Sequence, residues 1–326
     1  MRIKVFPIVF SVLFAGTGLF SFGDCGSIPF SPVLNFPFAP IDTTIQFLED
    51  MMDRTDLSYD PLKVRVFEPA QRAVILWNGQ EEILLLSTDQ SATERSAILE
   101  VIPLPSEPRV RLGSLETFEA AHRLVVEKRM WACAHGGARA DRIKVPRVAG
   151  RITFSEKLGP HDITVAQVLS DKGFIEFVQS YLQEKYQTPQ APIRPEFARI
   201  IQAYIEKDFD WFCFDVILLD PSPKTREPIE YRFQSDRVFY PLTISALEQG
   251  KTRVNLLVFT PKLSATFEGI ERSGVEQDPP VTIKPEEAEG LERGWKGFFN
   301  GIPGVVMHQW KIEGDMNSMT KDVIVR

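Results

Sequence analysis

Strand-like runs dominate the chain beyond residue 60, and several stretches replace them with helical spacing. Residues 72–77 and 81–87 are β-prone runs flanking Asn78 and Gly79, the arrangement of a hairpin closed by a two-residue primed turn. Residues 97–104 add a third apolar run, ending at Pro103 and Pro105, and residues 109–112 a short fourth; together they predict an antiparallel sheet. Ser114 then stands as the N-cap of a helix in which Leu115, Phe118, Ala121 and Val125 recur at helical spacing, so that one face covers the sheet.

Past residue 150 the pattern resumes. Residues 162–168 read as a strand, and Ser170 opens a helix with Phe174, Phe177, Val178, Tyr181 and Leu182 along one side. A second helix after Pro195 repeats that spacing with Phe197, Ile200, Ile201, Tyr204 and Ile205. Both stripes need a common layer, which residues 211–219, 229–233, 238–244 and 253–259 supply as strands separated by turn residues such as Pro221, Pro223 and Gly250. Pro285 opens a last helix reaching residue 299, with Leu291, Trp295, Phe298 and Phe299 on one side, before a final strand at 305–312. The expected class is α+β, antiparallel β-sheets covered by amphipathic helices. Gly136, Gly137 and the basic series Arg139, Arg142, Lys144 and Arg147 interrupt the pattern. They place a boundary near Gly150, between an N-terminal β-rich subdomain (24–149, with an extended arm and a covering helix) and a C-terminal α+β subdomain (150–326).

The N-terminus changes the setting. Arg2 and Lys4 precede an uncharged apolar run from residue 5 to 20, followed by Ser21 and Gly23, the layout of a signal peptide (1–23) cleaved after Gly23. The run is shorter than the roughly 20 residues that a bilayer crossing requires. Residues 24–40, rich in Pro, Ser and Phe, read as an extended arm with inserted aromatics, and Asp42 as the N-cap of a short helix. With 44% hydrophobic and 25% charged residues in 326, the remainder has the composition of an ordinary globular protein. Cleavage removes Arg2 and Lys4 and no acidic residue, so the formal charge moves from −7 to −9. An acidic surface repels phosphate backbones and anionic lipid, which argues against nucleic acid as a partner. The expected protein is extracytoplasmic, periplasmic or secreted, with no stable membrane span after cleavage.

Conventional catalytic equipment is scarce. Three cysteines, Cys25, Cys133 and Cys213, allow three alternative disulfide pairings, between which the spacing does not choose. Cys213, within Trp211–Phe214, reads as a buried free thiol. Of four histidines, His122 and His308 fall at core-edge positions of a helix and a strand. His161 adjoins Asp162, and an imidazole beside a carboxylate can serve as a base or metal ligand. Neighbours along a strand face opposite ways, however, which separates the two. Cys133 and His135 could bring a thiol near an imidazole, although no second ligand pair accompanies them. Asp315, Asn317 and Asp322 lack the glycine and glutamate of a calcium loop and read as turn formers. No phosphate loop, nucleophile elbow, zinc-protease pair or dinucleotide fingerprint is present, and no cofactor or metal is expected.

Four segments together resemble one bacterial family, that of domain of unknown function 2330. They are Glu68, Pro69, Gln71 and Arg72 leading into Trp77, Asn78 and Gly79; Ile102, Pro103, Leu104 and Pro105; Gly159, Pro160, His161, Asp162, Ile163, Thr164 and Val165; and Pro241, Leu242, Thr243, Ile244 and Ser245. The likeness covers roughly residues 65 to 265. It implies an extracytoplasmic α+β protein and no catalytic residue. The resulting expectation is an exported, non-catalytic binding or envelope-structural module. Its contact surface, toward an envelope protein or a ligand, would be the aromatic arm or the Pro-rich ends of the hairpin sheet. The rival is a periplasmic hydrolase or metal-dependent enzyme using His161 and Asp162, with Cys133 and His135.

Overall fold

The computed structural model describes residues 27–30, 60–134, 155–158, 161–188, 191–247, 250–262, 267–268 and 275–325. The segment read as a signal peptide, Cys25, most of the arm, the helix expected after Asp42, His135 and Gly150 lie outside them, as does the Cys133 side chain. The chain runs through Ile28–Phe30 (β1), Val66–Trp77 (β2), Glu81–Ala92 (β3), Ser96–Leu104 (β4) and Arg109–Leu112 (β5) to a helix at Leu115–Ala134 (α1). Ser155–Leu158 (β6) and His161–Gln167 (β7) precede two helices, Asp171–Tyr186 (α2) and Pro195–Ile205 (α3). Then come Trp211–Leu219 (β8), Lys224–Thr225 (β9), Ile229–Gln234 (β10), Val238–Tyr240 (β11) and Lys251–Thr260 (β12). Phe267–Glu268 (β13), Val275–Gln277 (β14) and Val281–Ile283 (β15) lead to a short helix at Pro285–Glu289 (α4), and Val305–Asp315 (β16) and Val323–Val325 (β17) complete the chain.

The strands make two large sheets and one small one. A nine-stranded sheet runs β14-β16-β12-β2-β3-β10-β5, with β15 also on β16 and β9 on β3. A five-stranded sheet runs β1-β4-β8-β7-β6, and β11-β17-β13 form the third. Alternation along the nine-stranded sheet divides its apolar residues between two cores. Ala73, Ile75, Leu84, Leu256 and Val258 join the cluster that holds α2, α3 and the five-stranded sheet. Val74, Leu76, Leu85, Leu257 and Phe259 join Ala121, Leu124 and Val125 of α1 on the other side, with Trp295, Phe298 and Phe299. Burial on both faces is why these strands read as near-continuous apolar runs.

Several details differ from the expectation. The hairpin forms, but Asn78 N–H donates to the Glu81 carbonyl (3.2 Å), so the two-residue loop is Gly79-Gln80. Asn78 instead flanks the loop, its side-chain Oδ1 accepting from the N–H groups of Gln80 and Glu81. Only glycine readily meets the positive φ of 100° at position 79. β4 leaves the hairpin sheet and pairs with β8, and the strands expected to form one layer are divided among all three sheets. The nine-stranded sheet is mixed, because β2 and β12 pair in parallel, whereas every pairing in the other two sheets is antiparallel. Pro241 ends β11 early, and α4 stops at Glu289, where Gly290, Gly294 and Gly297 follow in place of good helix formers. Both large sheets take strands from before and after residue 150, so one core spans the division that the basic segment suggested.

Candidate functional site between the sheets

Cross-strand register on the five-stranded sheet assembles the site. Glu100 of β4 pairs with Asp215 of β8, which pairs with Ile163 of β7. These residues share a face, and His161, two positions before Ile163, falls on it too. The His161 Nδ1 meets the Asp215 carboxylate, with both side chains 2% exposed. The other Asp215 oxygen accepts from the Asp162 backbone N–H at 3.0 Å. Asp162 itself projects the opposite way, where Lys185 and Tyr186 of α2 donate to its carboxylate. The structure thus gives His161 a carboxylate partner, but from a strand 54 residues away.

The nine-stranded sheet supplies the facing wall. Glu68 accepts from the amides of Gln71 (2.7 Å) and Gln90 (3.2 Å); Gln90 also donates to Glu100, and Tyr240 donates to Gln71. Arg226 donates its Nε–H to the Gln90 side-chain Oε1 (3.3 Å) and one Nη–H to the Leu218 backbone carbonyl (2.6 Å). Between the walls lies a cavity of about 50 Å³. Two of the polar groups on its lining carry a buried atom without a hydrogen bond among the described residues: His161 Nε2 and Glu227 Oε2. The Tyr231 hydroxyl interacts with the buried thiol of Cys213. Unpaired buried groups are costly, and two around one hollow call for an occupant or ordered water.

Electrostatics follows from this crowding. Burial pushes Glu100 up to about 7, helped by the like charges of Asp215 and Glu68. Burial works against a charged His161, but the Asp215 carboxylate outweighs it and holds the imidazole above its ordinary value. Burial also lowers Arg226, although Glu100 and Asp215 oppose the shift. Burial raises the Cys213 thiol, which keeps it protonated and a poor nucleophile.

The other candidates lie elsewhere. His308 is buried beside Thr260 (3.0 Å), and burial drops it to about 4. His122 lines a separate hollow of about 480 Å³ beneath α1. Asp322, expected in a turn, is 4% exposed and accepts from the Tyr204 hydroxyl (2.6 Å) and from the N–H groups of Leu242 (2.9 Å) and Thr243 (2.8 Å). No set of three or more His, Cys, Asp or Glu among the described residues is placed to hold a metal ion.

The family model described as "Uncharacterized protein conserved in bacteria (DUF2330)" matches residues 62–278, more than half of the chain. The chain belongs to this family. Each of the four segments that carry the DUF2330 likeness puts at least one side chain on the cavity wall: Gln71, Ile102, His161 and Ser245 among them. No curated protein matches the chain. Among solved structures, the crystal structure of baculovirus P35 is similar over 82% of this chain and 98% of its own, at 8% identity and a TM-score of 0.36, too loose a likeness to carry an argument.

Proposed function

We propose that this protein is exported and works outside the cytoplasm as a binding protein that takes a small polar ligand between its two large sheets. One observation carries the reading: two buried polar atoms without hydrogen bonds among the described residues, His161 Nε2 and Glu227 Oε2, line a single cavity, to which all four family-like segments contribute. Docking through the aromatic arm has less support. Phe30 is fully buried against β4 and Tyr186, Pro103 is buried, and the only large apolar side chains exposed among the described residues are Leu62 and Leu169. Export rests on the charge-free run after Lys4 and the small residues before Asp24. No helix among the described residues is long and apolar enough to cross a membrane.

Native mass spectrometry of the protein recovered from cells tests the binding reading. A small species should stay bound, leave on unfolding, and be absent from the His161→Gln protein. A parent protein whose cavity holds only ordinary water, shown crystallographically, would overturn it.

The His161–Asp215 pair also favours a second reading, an acid–base hydrolase. Asp215 fixes Nδ1 as the donor, which leaves Nε2 to take a proton, and Glu100 titrates in the range suited to a general acid. This version replaces Asp162 by Asp215. Turnover of a chromogenic ester by the parent protein and its loss in His161→Gln would favour it; equal rates in both would remove it.

A further inference from the structure

We infer that the cavity between the sheets is a site for a small primary ammonium group, held through its N–H donors by Glu227, His161 and Glu100. The inference rests on the cavity being a ligand site at all, and it concerns what chemistry fits there.

The vacant positions are mainly acceptors. Glu227 Oε2 is buried with no donor among the described residues. His161 gives its Nδ1 proton to Asp215, so the neutral ring presents a lone pair at Nε2, the other atom without a partner. Charge points the same way. Glu68, Glu100 and Glu227 line the cavity with Asp215 behind them, against one guanidinium, Arg226. Two N–H groups of Arg226 are already spent on Gln90 and Leu218, which turns part of its fork away from a guest. Even with His161 protonated, carboxylates outnumber cations, and a low-dielectric pocket of that sign concentrates positive guests. A cation beside Nε2 also favours the neutral ring, so guest and second ring proton exclude one another.

Geometry narrows the class. A water needs at least about 10–15 Å³ of such space, so 50 Å³ holds a guest of only a few heavy atoms. The wall also contains Leu86, Val101, Ile102 and Ile229, which would shelter a short alkyl stub but not replace a hydration shell. Ammonium and methylammonium fit these limits. An alkali cation has no N–H donors to direct at Nε2, and tetramethylammonium has neither donors nor room.

The test follows the His161 Nε2 resonance in protein labelled with ¹⁵N-histidine, assigned by its loss in His161→Gln. At pH 8 the protein is titrated with methylammonium chloride, and separately with sodium chloride, tetramethylammonium chloride and sodium acetate at matched ionic strength. A saturable shift with methylammonium alone, weakened at least tenfold in Glu227→Gln, is the expected result. Glu100→Gln should weaken it too, and serves where Glu227→Gln does not fold. An equal response to sodium or tetramethylammonium overturns the ammonium assignment. A saturable response to acetate instead overturns it while leaving the cavity a ligand site. No saturable response to any of the four, in protein whose cavity holds only water, overturns both.

Discussion

At the scale of single residues, the inter-sheet site is a place where ionisation and folding compete. Glu100 releases its proton near 4.5 in the unfolded chain and near 7 in the folded one. Between those values the folded protein holds more protons, so its stability falls as pH rises through the window. Glu100→Gln removes that dependence. Denaturant unfolding of parent and variant at pH 5 and pH 8 should show the variant gaining, relative to the parent, up to about 3 kcal/mol on the alkaline side. His308 acts in the opposite sense, losing stability as pH falls from 6.5 through about 4, and is common to both proteins, so it cancels in the difference. Asp215→Asn should drop the His161 pKa below 6.5 in an NMR titration, because burial then acts without the carboxylate that outweighed it. His161 could be singled out in the sequence as an imidazole worth attention, and alternation correctly set Asp162 on the other face. Asp215 could not be chosen, since its pairing depends on a strand register that no local spacing records.

At the scale of elements, the chain is held by polar anchors placed where strands and helices meet. Asp322 ties Tyr204 of α3 to the backbone after β11, with Oδ1 receiving three donors. Tyr204→Phe removes one of them from a buried carboxylate, and should cost about 1–3 kcal/mol in chemical denaturation. Arg111 of β5 and Glu230 of β10 form a second anchor, with Trp295 Nε1 donating to the same carboxylate at 2.8 Å. A Cβ at Gly294 would collide with the Arg111 guanidinium. Gly294→Ala should therefore displace that partly buried pair and lower stability by about 1–3 kcal/mol, measured the same way. At the edge of the five-stranded sheet, Phe30→Ala should cost about 3–5 kcal/mol, because β1 contributes a wholly buried ring to the core. Periodicity located α1, α2, α3 and the longer strands. It overran at residues 285–299, where apolar side chains at helical spacing are buried from turns instead. Short edge strands such as β9, β13 and β14 hold too few residues for alternation to register.

At the scale of the whole molecule, the two large sheets are built by exchange: β4 carries the chain out of the hairpin sheet and β5 returns it, then β6, β7 and β8 carry it out again and β9 and β10 return it. If export precedes function, N-terminal sequencing of native protein should begin at Asp24; a start at Met1 would contradict it. Local pattern alone placed α1, α2, α3 and the longer strands, made the class α+β and the chain acidic, and singled out His161 among the histidines. Those properties arise from side-chain size, periodicity and charge within a dozen neighbouring residues. Only the tertiary structure decided which strands pair, that residues on either side of position 150 share a core, and that His161, Glu100, Asp215 and Glu227 converge on one hollow. Such convergence depends on contacts between residues far apart along the chain, whose free energies become favourable only when two sheets close over a common interior.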